Sequence, residues 1–357
     1  MNIKSLLLGS AAALAAVSGA QAADAIIAAE PEPMEYVRVC DAFGTGYFYI
    51  PGTETCLKIG GYVRVQVDGR SDFDLGGVDL QDGGYRTNTR AQLQFDAKSD
   101  TELGELHSKI TVRANTNGDD DFYMEESYLA IGGLRVGYFY NYFDTGLPGE
   151  TFLSDGGPIA GAGYIGGDTL NNSIRYTFEG DAFSAYVQAD AFDSQDGWKT
   201  DAAGNDDEIG VNALIGGAFG GVAVNLFGAY EFENEDGVVA STLTANVGPG
   251  TLGIMGVYSF GASRYWDFSE WSIGAEYAIA VTEKFSIAPG VQYWDNILYD
   301  ADGDYEDGSA WRVGVTADYA ITQGLALKAT VNYTDVDAGA LGDGDRWDGF
   351  VRLQRSF

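Results

Sequence analysis

The sequence predicts an all-β chain closed into a transmembrane antiparallel β-barrel of about 16 strands. Three observations lead there. From Leu57 onward, apolar and polar residues alternate with period two in segments of roughly ten residues, the length of a tilted strand crossing a bilayer. The segments number about sixteen, an even count that suits a closed antiparallel wall. Their connections alternate between short turns and longer acidic loops, an asymmetry that a soluble sandwich has no reason to adopt.

The first residues set the compartment. MNIKSLLLGSAAALAAVSGAQA carries a basic start at Lys4, an apolar run from Leu6 to Val17 and an Ala20-Gln21-Ala22 cleavage site. That is the pattern of an exported chain's signal peptide, expected over residues 1–22. The apolar run is shorter than the ~20 residues of a membrane-spanning helix. Residues 23–34, ADAIIAAEPEPM, follow as a flexible leader without sustained period, and the barrel is expected over 35–357.

With 20 basic and 53 acidic residues the formal charge is −33; removing residues 1–22 takes away one Lys and leaves −34. So acidic a chain is a poor partner for nucleic acid, whose binding rests on neutralising phosphates. Nor does it read as disordered, because 45% of residues are apolar and 13% aromatic, enough to cover a buried or lipid-facing surface. Fifty Gly and 22 Tyr against 7 Pro favour strands and tight turns over helices. The almost uncharged stretch 213–230 is close to helical-span length, yet its Gly residues each weaken a helix by about 1 kcal/mol. The GGAFGG centre at 216–221 reads as a turn between two strands.

Two cysteines, Cys40 and Cys56, survive in a chain bound for an oxidising compartment, which makes a disulfide between them the default. Two sulfurs with no neighbouring His make a poor metal set. The disulfide is expected to staple an N-terminal hairpin at one end of the barrel.

The alternation is clearest in the first three strands. Leu57, Ile59, Val63, Val65 and Val67 oppose Lys58, Tyr62, Arg64, Gln66 and Asp68. Leu93 and Phe95 oppose Arg86, Arg90, Gln92 and Gln94, and Leu106, Ile110 and Val112 oppose His107, Lys109, Thr111 and Arg113. One face is therefore assigned to lipid and the other to water. Tyr138, Tyr140, Tyr142, Trp271, Tyr277, Tyr293, Trp311, Tyr319, Tyr333 and Trp347 fall near strand ends, as interfacial girdles require.

One long interruption breaks the repeat. Between the strand LRVGYFYNYF, opening at Leu134, and NNSIRYTF, ending at Phe178, lies the Gly-rich passage DTGLPGETFLSDGGPIAGAGYIGGDTL. It is expected to fold into the lumen and set what passes. GAGYIG at 161–166 matches a dinucleotide fingerprint but lacks a βαβ unit, so its glycines are read as bends. DADGDYED at 300–307 and Asp119-Asp120-Asp121 are read as solvated acidic loops, since their spacing is not that of a calcium-binding loop. The single His107 lies beside no serine motif, so no hydrolase and no other enzyme is expected, nor any cofactor or metal.

The segment EYVRVCDAFGTGYFYIPGTETCLKIGGYVRV (Glu35–Val65), the start MNIKSLLLGSAAALAAVSGAQA and the end GFVRLQRSF resemble the outer-membrane porins of alphaproteobacteria, the rhizobial and Brucella type. The resemblance is carried by both ends, and by the middle only through strand pattern. It implies a sixteen-stranded, water-filled, usually trimeric barrel of the bacterial outer membrane whose third long loop folds inward. Counting strands puts that loop at Asp144–Thr169, the same passage. It also implies that the terminal Phe357 belongs to a signal read by the barrel-assembly machinery, although Arg355 departs from the apolar residue usual two positions earlier. The implied surroundings are outer-membrane lipid and lipopolysaccharide.

These expectations assign a constriction. Asp144, Glu150, Asp155 and Asp168 from the loop would face a basic wall of Lys58, Arg64, Arg86, Arg90, Lys109 and Arg113, creating a transverse field. The expected function is passive diffusion of small hydrophilic solutes and ions, with cations preferred because the excess charge is acidic. A substrate-selective channel with aromatic tracks in its lumen, or a non-conducting surface structural or adhesion barrel, are the alternatives.

Overall fold

A computed structural model describes residues 38–116, 122–159, 169–192 and 209–357. The expected signal peptide (1–22), the leader (23–34), Asp119–Asp121, the GAGYIG motif at 161–166 and Asp168 lie outside the described residues. Val39–Phe357 is a compact unit.

Its wall is a succession of antiparallel strands. The first eight are β1 (Cys56–Arg70), β2 (Gly84–Thr101), β3 (Gly104–Asn115), β4 (Phe122–Ile131), β5 (Leu134–Tyr140), β6 (Leu170–Glu179), β7 (Phe183–Ala191) and β8 (Ile209–Phe219). The second eight are β9 (Val222–Glu231), β10 (Asp236–Val247), β11 (Gly250–Ser259), β12 (Trp271–Ala280), β13 (Phe285–Asp295), β14 (Ser309–Thr322), β15 (Leu325–Asp337) and β16 (Asp343–Ser356). Every strand pairs with its sequence neighbour, and β16 returns to β1, from Asp348 opposite Arg70 to Ser356 opposite Tyr62. Closure leaves no unpaired edge, the condition for a sheet in lipid. At the seam the backbones of Gly61 and Phe357 exchange two hydrogen bonds of 3.1 Å, so Phe357 extends the ladder one residue past Ser356.

Burial runs opposite to that of a soluble protein. Val63, Val65 and Val67 are more than 40% exposed on the outside of β1, whereas Glu276, Gln292 and Arg312 are buried on the inner face of β12, β13 and β14. The period-two pattern therefore sorts the residues into a lipid face and a lumen face, as the alternation requires. Trp271 and Tyr293, Trp311 and Tyr333, and Tyr333 and Trp347 approach with ring centroids 5.2, 5.3 and 4.9 Å apart, aromatic contacts at the long-loop end. Tyr142 is not part of any girdle: it lies buried in the loop after β5 and stacks on Phe227.

At one end of the barrel the connections are short; at the other they run up to the passage 141–169. The turn expected at the centre of GGAFGG lies two residues later. Gly216–Phe219 continue β8, with Phe219 opposite Val222, and the reversal is made by Gly220 and Gly221 at φ 56° and 87°. A two-residue hairpin whose twist matches the strands needs positive φ at both positions, which this glycine pair supplies without strain.

Cys40 and Cys56 are bonded, with Cα atoms 5.9 Å apart and both side chains buried. The closed loop carries the strand Phe48–Tyr49, which adds to β1 opposite Cys56 and Leu57. Cutting the bond by Cys40→Ser removes a constraint worth about 3 kcal/mol for a loop of this size. The expected outcome is rapid proteolysis within 40–55 of an otherwise intact barrel; protection equal to the parent protein would contradict the stapling role.

Candidate pore constriction

The loop after β5 begins with a single tight turn, Tyr142–Asp144, capped by the Asn141 side chain, which accepts from the Phe143 N–H at 2.9 Å. The turn is wedged by aromatic packing. Tyr142 stacks on Phe227 at 4.6 Å, and Phe143 meets Phe227 at 5.3 Å and Trp266 at 5.4 Å.

Beyond the turn, the loop hangs on side chains of the opposite inner wall. The Glu276 carboxylate accepts the backbone N–H groups of Gly149, Thr151 and Phe152, the last two at 2.7 and 2.9 Å. Gln292 accepts from Leu153 N–H at 2.7 Å and donates to its carbonyl at 3.0 Å. The Thr316 hydroxyl accepts from Glu150 N–H at 2.9 Å, and Arg312 donates to the Thr151 carbonyl at 3.0 Å. An irregular segment must satisfy its backbone somewhere, and here polar side chains of β12, β13 and β14 take the place of a ladder.

The wall is flattened where the loop lands. A Cβ added at Gly253 would meet the Pro148 ring at 2.6 Å, one at Gly274 the Phe152 ring at 2.2 Å, and one at Gly290 the Thr151 side chain at 2.7 Å. Glycines on three successive strands thus form a trough that any larger residue would fill.

A second segment also turns inward, one the sequence reading did not single out. In the connection 260–270, Ala262, Ser263, Tyr265, Trp266, Asp267, Phe268 and Ser269 are buried. Tyr265 reaches across to donate to Asp190 at 2.7 Å, and Trp266 backs Phe143. Aromatic content in a supposed outer loop was the available signal.

The predicted acidic residues divide. Glu150 is engaged by Lys328 at 2.8 Å and by Arg352 at 3.5 Å. Asp144 and Asp155 are exposed. Crowding by the surrounding loop and wall, then the neighbouring charges of Asp155 and Glu125, push the Asp144 carboxyl up to about 6. Crowding also raises Asp155.

The predicted basic residues divide as well. Lys58 lies near the short-turn end, 5.8 Å from the Tyr47 ring, while Arg86 is exposed near the long-loop end and pairs with Asp68 at 3.1 Å. Arg64 and Arg90 are cross-strand partners at mid-wall. Arg64 donates to Gln354 at 2.9 Å and Arg90 to Asn115 at 2.7 Å, and neither has a carboxylate partner among the described residues. Lys109 and Arg113 are ion-paired to Glu126 and Glu125, with Lys109 at 2.6 Å.

That pairing depends on a bulge. Thr111 pairs with Glu126 and Val112 with Met124, so Glu125 is the extra residue and both carboxylates reach lumen-facing cations. His107 bonds Asp96 at 3.0 Å and meets the edge of Tyr128. Residues outside the first three strands that hold the loop were missed: Glu276, Arg312, Lys328 and Arg352. Simple alternation in WRV and VRLQR would have put Arg312 and Arg352 on the inner face.

Comparison with known proteins agrees with this architecture. The chain is 44% identical to the putative outer membrane protein y4fJ of Sinorhizobium fredii, covering 100% of this chain and 99% of that protein. It is 34% identical to the porin Omp2b of Brucella neotomae, with 100% of each covered. Among solved structures, the trimer form of OmpT, an outer membrane protein of Vibrio cholerae, superposes with a TM-score of 0.61 at 12% identity, covering 85% of this chain and 100% of that one. Residues 24–348 match the family described as the Porin subfamily, and the chain belongs to it, an outer-membrane β-barrel of the porin type.

Proposed function

We propose that the protein is a general diffusion porin, a passive water-filled channel for small hydrophilic solutes and ions with a preference for cations. The observation that carries the reading is the docking of the loop from Asn141 to Ile159 on the inner faces of β12 to β16. Held there, it narrows the lumen while leaving Asp144 and Asp155 in water. Charged side chains in a narrow aqueous gap act on permeating ions more strongly than in bulk, because the low-dielectric wall screens them less. The mature charge of −34, with acidic connections at the long-loop end, supports cation entry. Arg64 and Arg90 supply the opposing sign, so the field across the gap is transverse and orients dipolar solutes.

Reversal potentials across a planar bilayer under a KCl gradient test this, with the sign for potassium expected. A chloride-selective result would sink the cation preference, and absence of conductance would favour the surface structural or adhesion barrel. Acidification tests the residue. Asp144, with its carboxyl near 6, is charged at pH 7.5 and protonated at pH 5, so cation preference should fall between these values. In Asp144→Asn that drop should be largely absent; an unchanged pH profile would remove Asp144 from the constriction.

The porin reading extends to partners. A homotrimer in outer-membrane lipid and lipopolysaccharide is supported by the family and by the trimer form of OmpT. Recognition of Phe357 by the assembly machinery is part of the same proposal and rests on the porin resemblance alone. Residues 1–22 as a removed signal peptide and 23–34 as a leader belong to the same proposal.

A further inference from the structure

We propose that Arg135 and Arg175 form a lumen subsite for an oxyanion-bearing solute, between the constriction and the short-turn end of the barrel. The two residues are direct cross-strand partners on β5 and β6. Val136, Ile174 and Tyr176 beside them are exposed to lipid, so alternation turns both arginines inward.

Both guanidinium groups are backed by rings. Arg135 sits 4.5 Å from the Tyr128 centroid and 5.3 Å from that of Phe139; Arg175 sits 5.0 Å from Phe139 and 4.2 Å from Tyr186. Phe139 is completely buried and Tyr128 nearly so. The rings back each guanidinium group on one side, and the N–H groups that the described residues do not engage remain for a ligand.

Neither charge is met by an ion pair among the described residues. Arg175 donates to the Gln188 side chain and, at 3.1 Å, to the Tyr140 carbonyl, both neutral acceptors. Arg135 has neither a hydrogen bond nor an ion pair among the described residues. Asp190, whose charge Arg175 feels, is already occupied by Ser173, Gln188, Asn212 and Tyr265. Elsewhere on the inner wall, Lys109, Arg113, Arg312 and Lys328 each hold a carboxylate; Arg64 and Arg90, the other cross-strand pair without one, stand at mid-wall and donate to Gln354 and Asn115. Two like charges directly opposite across a strand pair repel. A bound carboxylate or phosphate relieves that repulsion, and the fork of a guanidinium matches its paired oxygens.

Arg135 lies one residue from the strand's start after the Gly132-Gly133 turn, while the loop that narrows the pore leaves from the other end of β5. An anion that has passed the loop meets the pair before it leaves. The proposal rests on the reading of the lumen as an open channel, but binding can be measured without current.

Saturation-transfer NMR on the full-length protein in detergent, with succinate, glycerol phosphate and glycerol as separate probes, tests it. Transfer to succinate, to glycerol phosphate or to both supports the site and tells carboxylate from phosphate recognition; glycerol should show none. In Arg135→Gln/Arg175→Gln the transfer should weaken by about tenfold, the loss expected for charge-assisted pairs. Arg135→Lys keeps the charge but not the fork, so it should bind more weakly than the parent, and it serves where the double variant fails to form a heat-modifiable barrel. Equal transfer to glycerol, or binding unchanged in the variants, overturns the proposal. Loss of KCl conductance in the parent protein, measured separately, would instead overturn the channel reading.

Discussion

Glu276→Ala is expected to release the constriction loop, giving a channel with noisy, multi-level single-channel current and closure at lower voltage. The carboxylate is buried on the inner face of β12 and receives three backbone N–H groups from Gly149, Thr151 and Phe152. Hydrogen bonds to a charged acceptor contribute about 1.5–3 kcal/mol each, though three sharing one carboxylate do not add fully. A loss of about 3 kcal/mol shifts the docking equilibrium by roughly two decades. The strands keep their own ladder, so the barrel should still form. Glu276→Gln retains one carbonyl acceptor and should show a smaller effect. A quiet current in Glu276→Ala, equal to the parent, would show that Gln292, Arg312 and Thr316 hold the loop without it.

Deleting Gly149–Ile165 should have the second large effect, raising single-channel conductance about twofold and weakening ion selectivity, since pore width and lining charge set both. The cut empties the trough formed by Gly274 and Gly290 and removes Glu150 and Asp155. Glu276, Gln292 and Arg312 lose their loop partners but gain lumen water, so the wall pays little. Asn141 to Asp144 remain, still wedged against Phe227 and Trp266. Conductance unchanged by the deletion would mean that the loop does not line the narrowest part of the pore.

Much of the wall is legible in the sequence because a strand's side chains alternate strictly. Reading Val63, Val65 and Val67 against Arg64 and Gln66 is enough to assign a lipid face and a water face, and the structure keeps that assignment. Strand positions were legible to within a few residues, as with β1 at 56–70, where the alternation was read from Leu57 to Asp68. The Cys40–Cys56 bond followed from compartment chemistry.

Misreadings came where local pattern is ambiguous. GGAFGG contains two glycine pairs, each able to make a hairpin, and only the register with β9 selects Gly220-Gly221. Glu125 and Glu126 were not singled out in the sequence, because strict alternation would turn only one of them inward; the bulge brings both to Arg113 and Lys109. Tyr142 looks like a girdle residue by its distance along the strand, but β5 ends at Tyr140 and the chain turns inward.

The sequence by itself determined the closed barrel, the sign of its charge and the loop that interrupts it, because strand periodicity, composition and segment length are properties of neighbouring residues. The tertiary structure alone decided the partners of that loop: Glu276 for its backbone, Lys328 and Arg352 for Glu150, Trp266 for Phe143. Those contacts join residues more than a hundred positions apart across the lumen, and no local rule links them. They exist because closing the wall brings β12 to β16 and the connection 260–270 within reach of a segment whose own backbone has nothing else to bond.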